Sequence, residues 1–353
     1  MSATDATCFE PKSAVDVFKR GVAECVRAGF AAWVTVFAIL LAPTALVVAG
    51  QYLTWSTGAG ELLASMQKGT FNPQTLDIGE LMRAVLIALC AGMVPGLVSL
   101  VAQYASGVAV ARMVASRALG RPFGPAEAWD FVLGRAWQII GGALALLAIL
   151  IAGSVAGEIP GMIIGAVIGS ASGGFKPGAP PPAAMRIAPV VTMLPVLLAL
   201  AAYLVPMMAV TGVENRGGFT ALSRSFRLVS GRFKHVLGVL VLTGLAFMLP
   251  SAAAGIVSQT DLAAQLRVTF GAANGMLLLN GISSGLSLIT SPFMCAIAAV
   301  IYFDLRSRQR DERFTAYELA LDVGGELPEG AEAPSSDVSG MSQDSPARPS
   351  DII

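Results

Sequence analysis

Six stretches of the chain contain no Asp, Glu, Lys or Arg, and each is at least 22 residues long. A helix needs about 20 apolar residues to cross the hydrocarbon core of a bilayer, so each stretch is long enough to span it. The pattern predicts an all-α protein, a polytopic bundle of six transmembrane helices. The six predicted spans are residues 28–60, 84–111, 136–157, 187–213, 235–260 and 268–303.

The composition agrees with a protein that lies mostly in lipid. Hydrophobic residues make up 55% of the chain and charged residues 13%, whereas soluble domains are about 25% charged. The formal net charge is zero, which does not favour a nucleic-acid partner. The four cysteines have neither close pairing nor metal-ligand spacing, so we expect no disulfide, metal or other cofactor.

One uncharged segment, residues 159–175, follows the third predicted span but is separated from it by Glu158 and Pro160. The segment is rich in glycine. It is interpreted as an extension of the third span or an interfacial segment, with a re-entrant segment as the alternative.

The basic residues predict an orientation. Of the 23 Lys and Arg residues, 17 lie before span one, between spans two and three, between spans four and five, or just after span six. Basic residues next to transmembrane helices favour the cytoplasm. We therefore expect a multi-pass protein of the cell inner (cytoplasmic) membrane, with both termini cytoplasmic.

An internal repeat of about 95 residues indicates how the spans are grouped. Phe123, Phe219 and Phe314 are spaced 96 and 95 residues apart, and an uncharged run ending in basic residues precedes each. The repeat predicts three helical hairpins with two spans each. The approximate repeat units are 11–122, 123–218 and 219–313. The predicted regions of the chain are a cytoplasmic N-terminus with an amphipathic helix at 1–27, the six-span membrane domain at 28–322 and a disordered acidic tail at 323–353.

Each connection on the basic side carries apolar residues at helical spacing. Leu222, Phe226, Val229 and Phe233 form one face before span five, and similar faces precede spans one and three. Such segments are typical of amphipathic helices in the membrane interface. They are interpreted either as a structural collar or as a contact surface for anionic lipid or a partner protein. The candidate contact residues are Arg224, Arg227, Arg232 and Lys234.

Prolines and hydroxyl side chains mark the even-numbered spans. Pro95, Pro195 and Pro292 recur at intervals of 100 and 97 residues, and proline breaks in membrane helices can mark a substrate site or be ordinary kinks. Polar residues in span six either line a wet cavity or hydrogen-bond between helices. The candidate cavity residues are Asn280, Ser284, Ser287 and Pro292.

Small residues at four-residue spacing predict close helix packing at three places. The glycine pairs or triplets are Gly92/Gly96, Gly161/Gly165/Gly169 and Gly281/Gly285.

An ion pair is expected where span six ends. Asp304 and Arg306 lie at the predicted boundary of the membrane. If Asp304 faces inward it needs a basic partner, because a buried carboxylate without one is destabilising. Arg135 and Arg232, at equivalent positions of the repeat, are the candidates.

No catalytic group of residues is apparent. His235 is the only histidine, too few for a histidine metal site, and no charged residue lies in the middle of a predicted span, which argues against an ion-coupled carrier. We therefore do not expect an enzyme.

Two motifs resemble a known family. The sequence Tyr302-Phe303-Asp304-Leu305-Arg306 and the segment with Ser225-Phe226 and Gly231-Arg232-Phe233 are similar to bacterial six-span proteins related to the membrane domain of glycerophosphoryl diester phosphodiesterases. The resemblance covers roughly residues 190–322 and implies a six-helix membrane domain. The catalytic domain of those enzymes uses several histidines and a cluster of acids, which this chain lacks, so phosphodiesterase activity is not expected.

Two functions are consistent with these patterns. The first is a membrane scaffold or accessory protein whose basic cytoplasmic collar contacts anionic lipid or a membrane protein partner. The alternative is a passive or lipid-handling transporter that uses the proline-broken even-numbered spans.

Overall fold

The structure, a computed structural model, consists of helices throughout the residues that it describes, which are 12–57, 59, 78–121, 123–171, 183–248, 265, 268–309 and 316–323. The helices are α1 (Ala14–Ser56), α2 (Ile78–Ala118), α3 (Pro125–Gly134), α4 (Ala136–Ala171), α5 (Ala183–Val213), α6 (Gly218–Val229), α7 (Phe233–Thr243), α8 (Ala272–Gln309) and α9 (Ala316–Val323), with a π-helical turn at Gly244–Met248 after α7.

Five of these helices, α1, α2, α4, α5 and α8, are long and apolar enough to cross a membrane, which indicates an integral membrane protein. The count is six if α6 and α7 with its π-helical turn are taken as one broken span, although they meet at an angle of 102°. The fifth predicted span, 235–260, begins in α7. Its part beyond Met248 lies outside the described residues.

The helices extend well beyond the predicted spans. Helix α1 has 43 residues and begins where the Ser13 side chain caps the backbone N–H of Asp16. It is interrupted at Gly29, whose φ of 56° and ψ of −146° favour glycine. Helix α4 has 36 residues and continues through Glu158 and Pro160 to Ala171. Residues 159–171 therefore extend α4 and are not re-entrant.

Long helices that are neighbours in the chain pack in pairs, and the last long helix returns to pack against the first. Helix α1 packs against α2, and α4 packs against α5, while α2 contacts α5 and α8 contacts α1. One continuous apolar core runs through all of them, and its largest fully buried side chains include Tyr104, Met207, Ile297 and Tyr302.

The bend between α6 and α7 is formed at Ser230–Arg232, where Gly231 has a φ of 82°. The ring of Tyr203 from α5 packs against both sides of the bend, 4.7 Å from the ring centroid of Phe226 and 5.6 Å from that of Phe233. The hydroxyl of Ser225 donates to the carbonyl of Tyr203. These contacts hold α6 across the end of the bundle.

Most of the glycines predicted to pack closely between helices do not do so, and other glycines do. A Cβ atom at Gly92, Gly96, Gly281 or Gly285 would have no neighbour within 4 Å, whereas one at Gly161 would lie 2.4 Å from Pro189 Cα. Glycines outside the predicted pairs and triplet that closely approach a neighbouring helix or loop include Gly21, Gly50, Gly157, Gly212 and Gly217.

Gly50 offers a test of this packing. A Cβ atom there would lie 2.1 Å from the carbonyl oxygen of Ala91 on α2, so Gly50→Ala must push α1 and α2 apart. We expect a loss of about 1–3 kcal/mol of stability, measured as thermal unfolding of the detergent-purified protein. Gly92→Ala, on the facing helix with free space around it, is the control and should be neutral or slightly stabilising. Equal melting temperatures for the two variants would contradict the packing.

Candidate functional site

Charged side chains form a buried layer at one end of the bundle, which we call the basic end. It contains the start of α1, the last turns of α2, α5 and α8, and the short helices α3, α6 and α9, all joined by the contacts described below. Buried charges are stable only when they are paired and hydrogen-bonded. The layer contains two carboxylates that are almost completely buried, Glu214 and Asp304.

Glu214 is the centre of the first network. It follows the last residue of α5, and its side chain is 4% exposed. Arg306 Nη1 lies 2.7 Å from Glu214 Oε1, and Arg224 Nε lies 3.1 Å from both carboxylate oxygens. The hydroxyl of Tyr302 donates to the same carboxylate at 3.0 Å and accepts from Arg306. Glu214 therefore joins α5, α6 and α8.

Helix α9 docks onto this network. Arg306 Nη2 lies 2.7 Å from Asp322 Oδ2, and Arg112 donates to the carbonyl oxygen of Val323 at 2.5 Å. Leu319 and Val323 are buried. Desolvation raises the pKa of the Asp322 carboxyl even though Arg306 lowers it. The last carbonyl of α9 thus lies against the basic side chain of Arg112, which is favourable at a helix C-terminus.

Asp304 is the centre of the second network. The backbone N–H of Lys12 donates to Oδ1 at 2.8 Å, and Arg308 Nε donates to Oδ2 at 2.8 Å. His235 Nε2 lies 2.9 Å from Oδ2 but is not aligned for a hydrogen bond. Arg308 also donates to the carbonyl of Lys12. Asp304 therefore joins α8 to the N-terminal segment and to α7.

The predicted partners of Asp304 are corrected by these contacts. Asp304 faces inward and is 6% exposed, but it pairs with neither Arg135 nor Arg232. Arg308, four residues away on the same helix, is closer, and Arg232 donates instead to the carbonyl of Arg308 at 3.0 Å. Arg135 lies over the ring of Phe131. Arg306, expected in the same pair, belongs to the Glu214 network.

The four basic residues predicted to contact lipid or a partner have different environments. Arg224 is bound to Glu214, and Arg232 to the backbone of α8. Arg227 and Lys234 are exposed. Of the four predicted contact residues, Arg227 and Lys234 are therefore the two that are exposed at the basic end.

In the described part of the chain, two cavities lie between the helices of the bundle. The larger has a volume of about 570 Å³ and lies among α2, α5, α7 and α8; the smaller, of about 170 Å³, lies among α1, α2 and α8. Ile301 lines the larger cavity, and the next residue, Tyr302, belongs to the Glu214 network. Three polar residues line both cavities: Gln103, Ser287 and Ser291.

The hydroxyl groups along the cavities bond to their own helices. Ser287 donates to the carbonyl of Ser283 and Ser291 to that of Ser287, while Thr243 donates to Val239. Their oxygens can still accept a hydrogen bond. The side chain of Gln103 is hydrogen-bonded to no described residue. The lining therefore offers acceptors and one free amide, without a formal charge.

Two of the four predicted cavity residues line a cavity. Ser284 lines the smaller cavity and Ser287 lines both, but Asn280 and Pro292 line neither. The alternative prediction is that the hydroxyl groups of span six form hydrogen bonds between helices. Ser287, Thr290 and Ser291 instead each donate to a carbonyl of their own helix, α8.

The sequence reasoning missed Glu214, although a signal was present. Glu214 is the only Asp or Glu between Ile159 and Thr260, and it stands beside a strongly basic connection. A single acid among many bases at the end of a span indicates a paired, buried carboxylate. His235, interpreted as an interfacial residue, lies against Asp304.

No group of three His, Cys, Asp or Glu side chains that could hold a metal ion occurs in the described part of the chain. Comparison of the chain with protein-family models, with curated proteins and with solved structures finds no match. The function therefore has to be argued from the site itself.

Proposed function

We propose that the protein is a lipid-handling membrane protein whose larger cavity binds an uncharged amphiphilic molecule from the bilayer. The carrying observation is the cavity of about 570 Å³ among α2, α5, α7 and α8. Its volume lies within the range of about 300–1,000 Å³ that is typical of small-molecule sites.

The lining supports an amphiphile. Apolar side chains such as Val205, Leu240 and Phe247 alternate with Gln103 and hydroxyl groups, and no Asp, Glu, Lys or Arg lines the cavity. A charged ligand would be unpaired there, which is costly. A ligand with an apolar chain and a hydroxyl or amide group would match both kinds of surface.

The route of entry follows from the charged layer. Tyr302 and the carboxylates of Glu214 and Asp304 are almost completely buried at the basic end, which favours entry of the ligand from the bilayer. A ligand that enters from the bilayer does not have to pass this layer.

Photo-cross-linking tests the proposal. The full-length protein in nanodiscs is exposed to a diacylglycerol carrying a diazirine in one acyl chain, and labelled peptides are mapped by mass spectrometry. We expect labelling at Met208 and Met294, which line the cavity. Ser291→Trp fills the site and should lower this labelling about tenfold, the equivalent of 1.4 kcal/mol.

The exposed serine at 170 provides the matched control, since Ser170→Trp lies away from the cavity and should leave the labelling unchanged. If Ser291→Trp proves misfolded on size-exclusion chromatography, Gln103→Ala replaces it. This variant adds no volume and should also weaken labelling. Labelling confined to lipid-facing residues in every variant would contradict the proposal.

A membrane scaffold is the second candidate. It is favoured by the exposed Arg227 and Lys234, near which the apolar side chains of Phe219 and Phe226 are also exposed. Basic groups near an anionic membrane surface contribute about 1 kcal/mol each. Arg227→Gln/Lys234→Gln should reduce the enrichment of phosphatidylglycerol around the protein in mixed nanodiscs, and unchanged enrichment would remove this candidate.

We also propose three hairpin repeats, with amphipathic helices at the basic end facing the cytoplasm of a bacterial inner membrane. The pairing of α1 with α2 and of α4 with α5 supports the hairpins, and the clustering of basic residues supports the orientation. Green fluorescent protein fused after Ile353 should fluoresce if the C-terminus is cytoplasmic; a dark but full-length fusion would reverse the orientation.

A further inference from the structure

Two arginines of the basic end share one aromatic ring. The guanidinium carbon of Arg112, near the end of α2, lies 4.9 Å from the centroid of Phe131, and that of Arg135 lies 4.5 Å from it. The ring of Phe123 packs edge-on against Phe131 at 6.4 Å. Cation–π contacts orient guanidinium groups, so the ring of Phe131 positions both arginine side chains.

Among the described residues, no carboxylate pairs with these two arginines. Arg224 and Arg306 pair with Glu214, and Arg308 pairs with Asp304, whereas neither Arg112 nor Arg135 forms an ion pair with any described acid. Arg112 uses Nη2 to donate to Val323, but its Nε and Nη1 are buried without a hydrogen-bond partner.

Such an arrangement is costly unless an acceptor is bound. A buried donor without a partner costs about 1–3 kcal/mol, and more when it is charged. Burial lowers the pKa of the Arg135 guanidinium, which is the sign of a charge that lacks compensation. Phosphate oxygens match the fork of guanidinium N–H groups better than any other common anion except carboxylate.

We propose that Arg112 and Arg135, supported by Phe131, form a binding site for a phosphate group, supplied either by an anionic lipid headgroup or by soluble phosphate. The site is separate from the cavity and does not depend on the function proposed for it. The neighbouring Trp129, Leu133 and Trp137 are exposed. Aromatic side chains of this kind lie at the headgroup level of membranes, which favours the lipid as the source.

The lipid arm of the test uses native mass spectrometry of the full-length protein, delipidated and then supplied with phosphatidylglycerol or phosphatidylcholine in equal amounts. We expect preferential retention of phosphatidylglycerol. Arg135→Gln should lower it about tenfold, the equivalent of 1.4 kcal/mol, because the variant loses a hydrogen bond to a charged group. Arg135 makes no hydrogen bond through its side chain to a described residue, so this variant should fold even if Arg112→Gln does not.

The control removes the same charge from the same connection, at Arg117→Gln, whose side chain is exposed, and should retain the lipid. Equal losses in Arg135→Gln and Arg117→Gln would overturn the site, and no loss in either would exclude the lipid as the source.

The phosphate arm uses inorganic phosphate in lipid-free detergent, with chloride at equal ionic strength as the reference. A phosphate-dependent rise in the melting temperature that disappears in Arg135→Gln, without a preference for phosphatidylglycerol, would assign the site to soluble phosphate. A rise that persists in Arg135→Gln, or no response in either arm, would overturn the proposal.

Discussion

Replacing Glu214 with glutamine is expected to destabilise the protein by about 3–5 kcal/mol, the cost of removing one partner from a buried ion pair. Glutamine has nearly the same shape but no charge. Arg306 and Arg224 would both lose the charge of Glu214, while the contact of Arg306 with Asp322 would remain. The measurement is thermal and denaturant-induced unfolding of the purified protein in detergent.

Two comparisons separate this effect from a general loss of charge. Glu158→Gln removes an exposed acid from α4 and should change stability by less than about 0.5 kcal/mol. A double-mutant cycle of Glu214→Gln with Arg306→Gln should show a coupling free energy of about 1–3 kcal/mol. Additive effects would mean that the 2.7 Å contact contributes nothing.

Asp304→Asn is expected to release the N-terminal segment. Asparagine can still accept from the backbone N–H of Lys12, but it loses the charge that faces Arg308 and His235. We expect a loss of about 2–3 kcal/mol, because hydrogen bonds to charged groups are broken. Trypsin should then cleave after Lys12 in native protein faster than it does in the unmodified chain.

The control for this cleavage is Asp130→Asn, an exposed acid of α3, which should leave the rate unchanged. If Asp304→Asn digests at the unmodified rate while its melting temperature falls, Asp304 stabilises α8 alone and does not anchor the segment before α1.

The helical class could be predicted from the sequence, and so could the number of membrane-length helices to within one, since six spans are predicted and five or six are described. The lengths of the helices could not be predicted. The absence of charge locates the part of a helix that lies in lipid, and hydrogen bonding continues wherever nothing breaks the helix. This is why α1 begins at Ala14 rather than at residue 28, and why α4 continues through Pro160. Proline in a membrane helix removes one hydrogen bond without ending the helix.

The candidate site was predicted only in outline. The pattern placed Asp304 at the right boundary, but the choice among many nearby bases depends on helix rotation, which favoured Arg308 one turn away. Glycine spacing failed for a similar reason: Gly92 and Gly281 lie on faces that contact nothing within 4 Å, whereas Gly50 meets the backbone of α2. Contacts between distant segments are not encoded in local spacing.

The buried layer also has an electrical consequence. Tyr302 and the two carboxylates lie buried at the basic end of the bundle, and each of them is paired. An ion crossing this layer would have to leave its hydration shell and separate those pairs, at a cost of several kcal/mol. We therefore expect this layer to oppose the passage of ions from the basic end, whatever the cavity binds.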